Sequence, residues 1–331
     1  MSAGRVHARD LDDFVAECDR LGGVYSPDAA SYIADFELEY DTPVDDSLDG
    51  FSPEYEAMQH ALYRELSGRE IDQVANEQMS LDVEASVRGA NPYGSTNVDH
   101  LAHHARTILT SILVSDLPPG ARVLDMGCGW GVSTEMFGFC GCRVHAVDIN
   151  PAFVEVVARR GWRGHPVTTE VAAFDAIATD ERFDLVFFYE SLHHAIRPWE
   201  LLARCATLVK PDGKVTIAGE PVQSEWWREW GLRLGATSVY GIRKFGWFES
   251  GWSEPFLAEC FRRAGLQLTM MAGIGLRHSA IGVAVPHGSV GPAPSPHWAV
   301  PPSPVADRPS VAARLAHRAG RAFRPRRRRR P

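Results

Sequence analysis

The stretch VLDMGCGWG, residues 123–131, joins an apolar run to a loop in which glycine occupies every second position. Asp125 precedes Gly127, Gly129 and Gly131. Glycine lacks a Cβ, so it adopts left-handed backbone conformations easily and lets a ligand approach the main chain closely. The stretch therefore predicts a strand, a tight turn and the start of a helix, with a small-molecule site at the turn.

Short β-rich segments alternate with helical ones around this stretch. The predicted strands are ARVLDM (121–126), CRVHAVDI (142–149), HPVTTEV (165–171), FDLVFFY (183–189) and GKVTIAGE (213–220). Helical patterns between them include VSTEMFGF, NPAFVEVVARRG and PWELLARCATLVK. This alternation indicates an α/β fold with a doubly wound, mostly parallel sheet that binds its ligand at the carboxyl ends of the strands. QLTMMAGI and SAIGVAV predict a closing antiparallel pair of strands.

The flanking regions differ in character from this central region, residues 116–285. Residues 1–115 show apolar residues at three- and four-residue steps in RDLDDFVAECDRLGG, PDAASYIADFELEY, SPEYEAMQHALYRELSG and NVDHLAHHARTILTSILV, which predicts a helical cap on the substrate side. Residues 286–331 hold ten of the 22 prolines and five consecutive arginines. Such a composition favours a disordered tail, able to touch an anionic surface, RNA or an acidic partner.

Composition excludes several classes of protein. Residues 1–306 carry 24 basic against 41 acidic side chains, so a nucleic acid substrate is not expected. No apolar run reaches the roughly 18 residues of a membrane span, and we expect a cytoplasmic protein. The six cysteines are scattered, and Cys140 and Cys142 are spaced too closely for a typical zinc pair, so we expect reduced thiols and no metal site.

The residues around the loop select among cofactors. Nucleoside triphosphate loops end in Gly-Lys-Ser/Thr, and nicotinamide loops need a third glycine where this chain has Val132. A carboxylate at Asp125 repels a pyrophosphate but suits an ammonium group. S-adenosylmethionine offers an ammonium group, a carboxylate and a ribose diol, with no phosphate. Asp148, 23 residues after Asp125, ends the second strand and can accept both ribose hydroxyl protons.

The succession VLDMGCGWG, AVDIN, FDLVFFYESLHH and LVKPDGKVTIAGE resembles the class I S-adenosylmethionine-dependent methyltransferases over residues 105–285. The resemblance implies a Rossmann-like fold and S-adenosylmethionine as cofactor. It assigns the methionine part to Asp125, Gly127, Cys128, Gly129 and Gly131. It also assigns the ribose to Asp148, the adenine ring to Ile149 and the adenine amine to Glu170 or Asp175, and it places Glu190 where cofactor and substrate meet.

Catalysis on an oxygen acceptor needs a general base, whereas the activated methyl group requires neither a metal nor a covalent intermediate. His193 and His194 in ESLHH follow the fourth strand, and one of the two is a candidate for this base. Family members also carry histidine here in a structural role, so both alternatives stay open.

A tryptophan-rich insertion, residues 221–252, is expected to bind the acceptor as a lid, because aromatic faces suit sugars and planar metabolites. The alternative for any single tryptophan is that it anchors the insertion on the core. The candidate acceptor residues of the insertion are Trp226, Trp227, Arg228, Trp230 and Trp247, with Tyr93 on the opposite wall. Arg233, Arg243 and Trp252 lie in the same segment.

These features predict a methyltransferase acting on a small molecule, through O-methylation of a sugar, glycan precursor or secondary metabolite. The alternatives are C- or N-methylation of a metabolite and a non-catalytic scaffold that binds the cofactor. A nicotinamide reductase is disfavoured by Val132.

Overall fold

The protein is built around a seven-stranded sheet, seen in a computed structural model that describes residues 2–162, 164–223, 225–271 and 280–289. The strands of the described chain are β1 (Arg5–His7), β2 (Glu37–Glu39), β3 (Arg122–Met126), β4 (Arg143–Asp148), β5 (Val167–Val171), β6 (Phe183–Tyr189), β7 (Val209–Glu220), β8 (Trp230–Leu232), β9 (Ser250–Trp252), β10 (Leu266–Met270) and β11 (Ala280–Pro286). The predicted strands of the central region all form.

The helices of the described chain are α1 (Leu11–Arg20), α2 (Pro27–Ala30), α3 (Pro53–Ser67), α4 (Gln73–Asn76), α5 (Val83–Arg88), α6 (Val98–Val114), α7 (Val132–Phe139), α8 (Pro151–Arg160), α9 (Pro198–Leu208), α10 (Ala236–Phe245) and α11 (Glu254–Arg263). Most begin at a side-chain cap. Ser52 accepts a hydrogen bond from Tyr55 N before Pro53, and Asn150 accepts one from Ala152 N before Pro151. Gly68 ends α3 in a left-handed conformation.

Strand order explains where the site lies. The large sheet runs β10-β11-β7-β6-β3-β4-β5, with β3 to β7 parallel and β10 and β11 antiparallel, which confirms the predicted fold class. From β3 the chain moves outward through β4 and β5, then returns to place β6 on the other side of β3. The crevice beyond the carboxyl ends of β3 and β6 is thus the switch point at which such sheets bind ligands.

The sheet core is apolar on both faces, as the unbroken hydrophobic runs predict. Val123, Leu124, Val186, Phe187 and Phe188 are completely buried. Strands covered by helices on both sides lose their polar alternation for this reason.

The N-terminal segment is less helical than its sequence suggests. PDAASYIADFELEY forms one helical turn, α2, and its end becomes β2, which pairs in parallel with β1. That helix begins at Pro27, directly after Ser26, whose side chain accepts a hydrogen bond from Ala29 N. Phe36 packs on Phe14 of α1 with ring centroids 4.7 Å apart, so contacts with the preceding 30 residues override the local periodicity.

The insertion at residues 221–252 folds as the antiparallel pair β8 and β9 with α10 between them. Helix α10 packs on α1 and α3, so the insertion is joined to the N-terminal helices. The predicted tail lies outside the described residues, apart from residues 286–289. Among the described helices, none has the length and apolar character that crossing a membrane requires.

Candidate active site

The glycine-rich loop leaves β3 beneath a buried carboxylate. Asp125 is 1% exposed, and its Oδ2 accepts hydrogen bonds from Ser133 Oγ (2.7 Å) and Thr134 Oγ1 (2.6 Å) in the first turn of α7. Its Oδ1 is buried with no hydrogen-bond partner among the described residues. Burial raises the pKa of Asp125 to about 6, against the effect of the two hydroxyl donors. The free oxygen is therefore an acceptor for a cationic group.

The three loop glycines serve different purposes, although all have positive φ. A Cβ at Gly127 would lie 2.6 Å from Ser191 Cβ, and one at Gly131 would lie 2.6 Å from Val157 Cγ2. A Cβ at Gly129 would meet nothing within 4 Å. Gly127 and Gly131 thus allow close packing within the protein, whereas Gly129 leaves open space above the backbone where a ligand can lie.

Asp148 closes the loop from the end of β4. Its Oδ2 accepts Gly129 N–H at 2.8 Å, and its Oδ1 accepts Asn150 N–H at 2.8 Å. Burial raises the pKa of this carboxyl group, while the two backbone donors oppose the shift. Cys128 beside it is buried, and burial raises the pKa of its thiol, so it remains a neutral packing residue rather than a nucleophile.

The residues present fit S-adenosylmethionine. Asp125 has an unpartnered carboxylate oxygen that can accept a hydrogen bond from the ammonium group. The open space beside Gly129 suits the methionine part, and the Asp148 carboxylate supplies acceptors for the ribose hydroxyl groups. Ile149 is half-buried next to Asp148.

The two carboxylates expected near the adenine are placed differently from each other. Glu170 accepts hydrogen bonds from His145 Nε2 and Ala178 N, both at 3.0 Å, and Asp175 is exposed. Neither shows a contact with the glycine loop among the described residues. Phe174 does approach it, since its Cζ would lie 3.3 Å from a Cβ at Gly127. Phe174 was not recognised from the sequence as an aromatic neighbour of the glycine loop, although it lies one residue before Asp175.

Glu190 stands at the carboxyl end of β6 in an unusual conformation. Its φ of 48° is left-handed, which is uncommon for a non-glycine residue. Gly219 makes this possible, because a Cβ there would lie 2.6 Å from Glu190 Cγ. The backbone is held by a 2.9 Å hydrogen bond from Glu190 N to Ala218 O. In this conformation the Glu190 side chain lies against Gly219 of β7.

The Glu190 carboxyl group is tuned by its surroundings. Burial and the negative charge of Glu220 raise its pKa to about 7, whereas Tyr189 and Arg233 act in the opposite direction. The side chain still keeps 41% of its surface exposed, so water reaches it. A carboxyl group with this pKa, at the switch point, is suited to exchange protons near neutral pH.

The two histidines predicted as base candidates lie in a network of carboxylates. His193 is 6% exposed, and its Nδ1 lies 2.9 Å from Oε2 of the buried Glu220. His194 is partly buried, with its Nδ1 3.1 Å from Glu77 Oε2. Burial lowers the pKa of His194, but the carboxylates, Glu77 foremost, outweigh this and raise it to about 9. The two rings lie side by side, with centroids 4.3 Å apart.

The central region also matches a known protein family in sequence. Residues 124–217 match the family model described as "Methyltransferase domain". Residues 124–217 form a methyltransferase domain. This match confirms the predicted family and, with it, the predicted cofactor, S-adenosylmethionine.

Several known proteins resemble the methyltransferase domain. A ubiquinone biosynthesis O-methyltransferase of Xanthomonas axonopodis pv. citri is 36% identical over 104 residues, which cover 30% of this chain and 44% of that protein. The chain thus spans less than half the length of this curated relative. Among solved structures, 1,6-didemethyltoxoflavin-N1-methyltransferase of Burkholderia thailandensis is 22% identical, with a TM-score of 0.44 over 73% of this chain and 92% of that one. Magnesium protoporphyrin IX methyltransferase of Synechocystis PCC 6803 is 17% identical, with a TM-score of 0.44 over 62% and 93%.

The tryptophans that follow the fifth strand of the methyltransferase domain do not share one environment. Trp227 and Trp230 are 7% and 1% exposed, and their indole N–H groups donate to Leu232 O and Gly50 O. The structure therefore places these two in the core rather than on an open wall. Trp226 is partly buried against the same core. Trp247 stacks on Phe245 and turns its edge to His194, 6.2 Å between centroids.

The arginines of the insertion also divide. Arg228 donates to Leu48 O and Arg243 binds Asp12, so both join the insertion to N-terminal segments. Arg233 instead places Nη1 3.2 Å from Glu249 Oε2, close to the two histidines.

Tyr93 belongs to an aromatic cluster beside the methyltransferase loop. Its ring lies 5.5 Å from Trp130 and 5.3 Å from His104. His104 Nδ1 contacts the hydroxyl of Tyr189. Burial lowers the pKa of His104 to about 4, so its neutral ring accepts a hydrogen bond from that hydroxyl. Sequence reasoning missed Glu77, His104, Tyr189, Glu220 and Glu249 as site residues. Tyr189 and Glu220 each end a β-strand, and this position was the signal that could have indicated them.

Proposed function

We propose that this chain transfers the methyl group of S-adenosylmethionine to a hydroxyl oxygen of a small, polar acceptor of the sugar, glycan precursor or secondary metabolite type. The observation that carries this proposal is that the cofactor-binding residues, here called the cradle, lie at the same switch point of the sheet as a carboxyl group with a raised pKa. Asp125, Gly129 and Asp148 form the cradle, and Glu190 stands on the adjacent strand.

The cradle residues would hold the cofactor by its charged and polar ends. Asp125 Oδ1 would accept the ammonium group, the Gly129 backbone would lie beneath the methionine part, and Asp148 would accept the ribose hydroxyls. When bound, the cofactor supplies a methyl group on a sulfonium, which is already activated for attack. Alignment of the acceptor and exclusion of water are then the tasks left to the protein.

Glu190 is our candidate for the general base. A hydroxyl nucleophile must lose its proton, and a base with pKa near the working pH does this best. Glu190 has such a pKa, about 7, and remains accessible, whereas His193 is enclosed by Glu220 and Glu249. We therefore assign His193 and His194 a positioning role in place of the base role considered from sequence.

A polar acceptor fits the groups around Glu190. Arg233 Nη1 lies 3.2 Å from Glu249 Oε2, and the charges of both residues act on the pKa of Glu190. Carboxylates and a guanidinium group bind hydroxylated compounds through directed hydrogen bonds, and Tyr93 and Trp247 add aromatic faces. The curated O-methyltransferase relative supports oxygen as the methylated atom.

The proposal is tested in two steps. The purified protein is first examined by thermal denaturation with S-adenosylmethionine, S-adenosylhomocysteine and NADH, and we expect only the first two to raise Tm. It is then incubated with methyl-labelled S-adenosylmethionine and the small-molecule fraction of host extracts. Label in a methyl ether supports the proposal. Label on nitrogen or carbon contradicts the assigned base, and cofactor binding without transfer to any fraction indicates a scaffold.

A further inference from the structure

A cluster of potential metal ligands lies beside the proposed acceptor site, on elements that the sequence separates widely. His193, His194 and Glu249 each bring one ligand atom within 4.8 Å of the others. The histidines form a single 3₁₀ turn after β6, and Glu249 precedes β9. Ser250 Oγ donates to His193 O at 2.7 Å, which fixes the insertion against this turn.

Glu220 orients the first histidine. Its carboxylate accepts backbone N–H groups from Ser191, Leu192 and His193, and it can only accept from the imidazole as well. The ring of His193 therefore donates from Nδ1, which leaves the lone pair of Nε2 free. A buried carboxylate on the far nitrogen is the arrangement that orients histidine ligands in metalloproteins.

His194 also lies beside a carboxylate, although its Nδ1 makes no hydrogen bond among the described residues. Glu77 Oε2 lies 3.1 Å from His194 Nδ1, and Glu77 Oε1 is fixed by Phe248 N–H at 2.9 Å. Two adjacent imidazoles thus each turn Nδ1 to a carboxylate.

Glu249 faces the free nitrogen at a distance that suits an intervening ion. His193 Nε2 and Glu249 Oε2 are 3.7 Å apart, which is too long for a hydrogen bond. Two ligands of a tetrahedral zinc ion with bonds of about 2.1 Å lie roughly 3.4 Å apart. Arg233 Nη1, 3.2 Å from the same oxygen, balances part of the negative charge and leaves the histidine side of the carboxylate open.

We propose that His193, His194 and Glu249 bind one divalent transition-metal ion of the zinc class. His194 gives up its proton when the ion binds, because only a neutral imidazole is a ligand. Two imidazoles and one carboxylate form a ligand set that retains open coordination positions for water or an acceptor oxygen. The sequence led us to expect no metal, from the cysteine spacing and because methyl transfer requires none. This set of residues went unnoticed, since Glu249 lies 55 residues beyond His194. The site does not depend on methyl transfer by this chain, since it stands on side-chain geometry alone.

The test measures metal binding directly, without cofactor or acceptor. Full-length protein is stripped with a chelator, dialysed and titrated with Zn²⁺ by calorimetry and with Co²⁺ by visible absorption. We compare the parent with Glu249→Gln, His193→Gln and His194→Gln. His60→Gln is the matched control, because His60 also lies beside a carboxylate, Glu56, at 3.8 Å.

We expect the parent and the control to bind one ion per chain. Each ligand variant should bind that ion at least about tenfold more weakly. The Co²⁺ complex of the parent should show the intense bands of a low-coordinate site. Circular dichroism identifies variants that do not fold, and the remaining ligand variants then decide. Equal Zn²⁺ affinity in the parent and a folded ligand variant would overturn the proposal, and so would a parent that binds no Zn²⁺. Binding of the ion by a protein that transfers no methyl group in the labelling experiment would contradict only the proposed function.

Discussion

His193 Nδ1 lies 2.9 Å from Glu220 Oε2, in a contact between side chains that are 7% and 0% exposed. Glu220 ends β7, and the same carboxylate accepts three backbone N–H groups of the turn that carries both histidines. A buried carboxylate is tolerated only where hydrogen bonds replace its lost hydration. Glu220 therefore fixes the turn after β6 to the end of the neighbouring strand.

Replacing Glu220 with Gln should destabilise the protein. An amide presents a donor to the two His193 groups that now donate to Oε2, so two buried donors lose their partner. We expect the free energy of unfolding to fall by about 2–4 kcal/mol in urea denaturation. Glu181→Gln is the matched control, because Glu181 is 59% exposed and pairs only with Arg122, and it should change stability by less than about 0.5 kcal/mol. Equal losses in the two variants would contradict this role for Glu220.

Replacing Asp125 with Asn should separate stability from cofactor binding. The folded-state pKa of Asp125, about 6, lies above the unfolded value near 3.9, so ionisation of this carboxyl group costs stability as pH rises from about 4 to 6. We expect the variant to match or exceed the parent by up to about 3 kcal/mol at pH 7.5. The difference should vanish near pH 4.

Cofactor binding by the same variant should weaken at least about tenfold, because the acceptor for the ammonium group is lost. Denaturation at the two pH values and calorimetry with S-adenosylmethionine provide the measurements. A destabilised variant with unchanged cofactor affinity would show that Asp125 has a structural role alone.

Gly129 and Gly120 form a matched pair of glycines. Both have positive φ, 49° and 71°, and a Cβ at either would meet nothing within 4 Å. Substitution by Ala at either position should therefore strain the backbone to a similar extent and lower the free energy of unfolding by about 1–2 kcal/mol. Only Gly129→Ala should weaken S-adenosylmethionine binding, by about tenfold, because only Gly129 lies in the cradle. Calorimetry on both variants measures this, and parallel losses of affinity would refute the assignment of the open space to the cofactor.

Replacing Glu190 with Gln should reduce turnover at least about 100-fold with cofactor affinity nearly unchanged, as expected when a general base is lost. The parent's kcat/KM should fall tenfold per pH unit below about 7, because the carboxyl group must be ionised to accept a proton. This dependence should vanish in the variant. The charged and titratable groups acting on Glu190 are Tyr93, His104, Tyr189, Glu220, Arg233 and Glu249.

These measurements use the acceptor that the labelling experiment identifies. If the Glu190→Gln variant retains the parent's pH profile, the general base is a group other than Glu190. Gly219→Ala offers an independent check, because it displaces Glu190 without changing its chemistry and should lower turnover as well.

Local patterns were sufficient for the central sheet and the glycine-rich turn. The alternation of β-rich and helical segments predicted β3 to β7, and the glycine spacing predicted the loop, because both depend on residues close together in the chain. The two-sided burial expected of these strands does not extend to β5, an edge strand with Thr168, Thr169 and Glu170. Local pattern failed in PDAASYIADFELEY, where the residues that became β2 pair with β1 about 30 positions earlier. For each tryptophan of the insertion the sequence left two roles open, acceptor binding and anchoring on the core. Burial in the core gives Trp227 and Trp230 the second role.

The sequence by itself determined where the backbone can turn, because glycine's freedom at positive φ is a property of single residues. It also determined which carboxylates end strands. Only the tertiary structure decided that Glu220, Glu249 and Glu77 surround His193 and His194, and that Gly219 makes room for Glu190 in a left-handed conformation. These contacts depend on strand order and on the packing of an insertion, which place residues 27 to 117 positions apart beside one another.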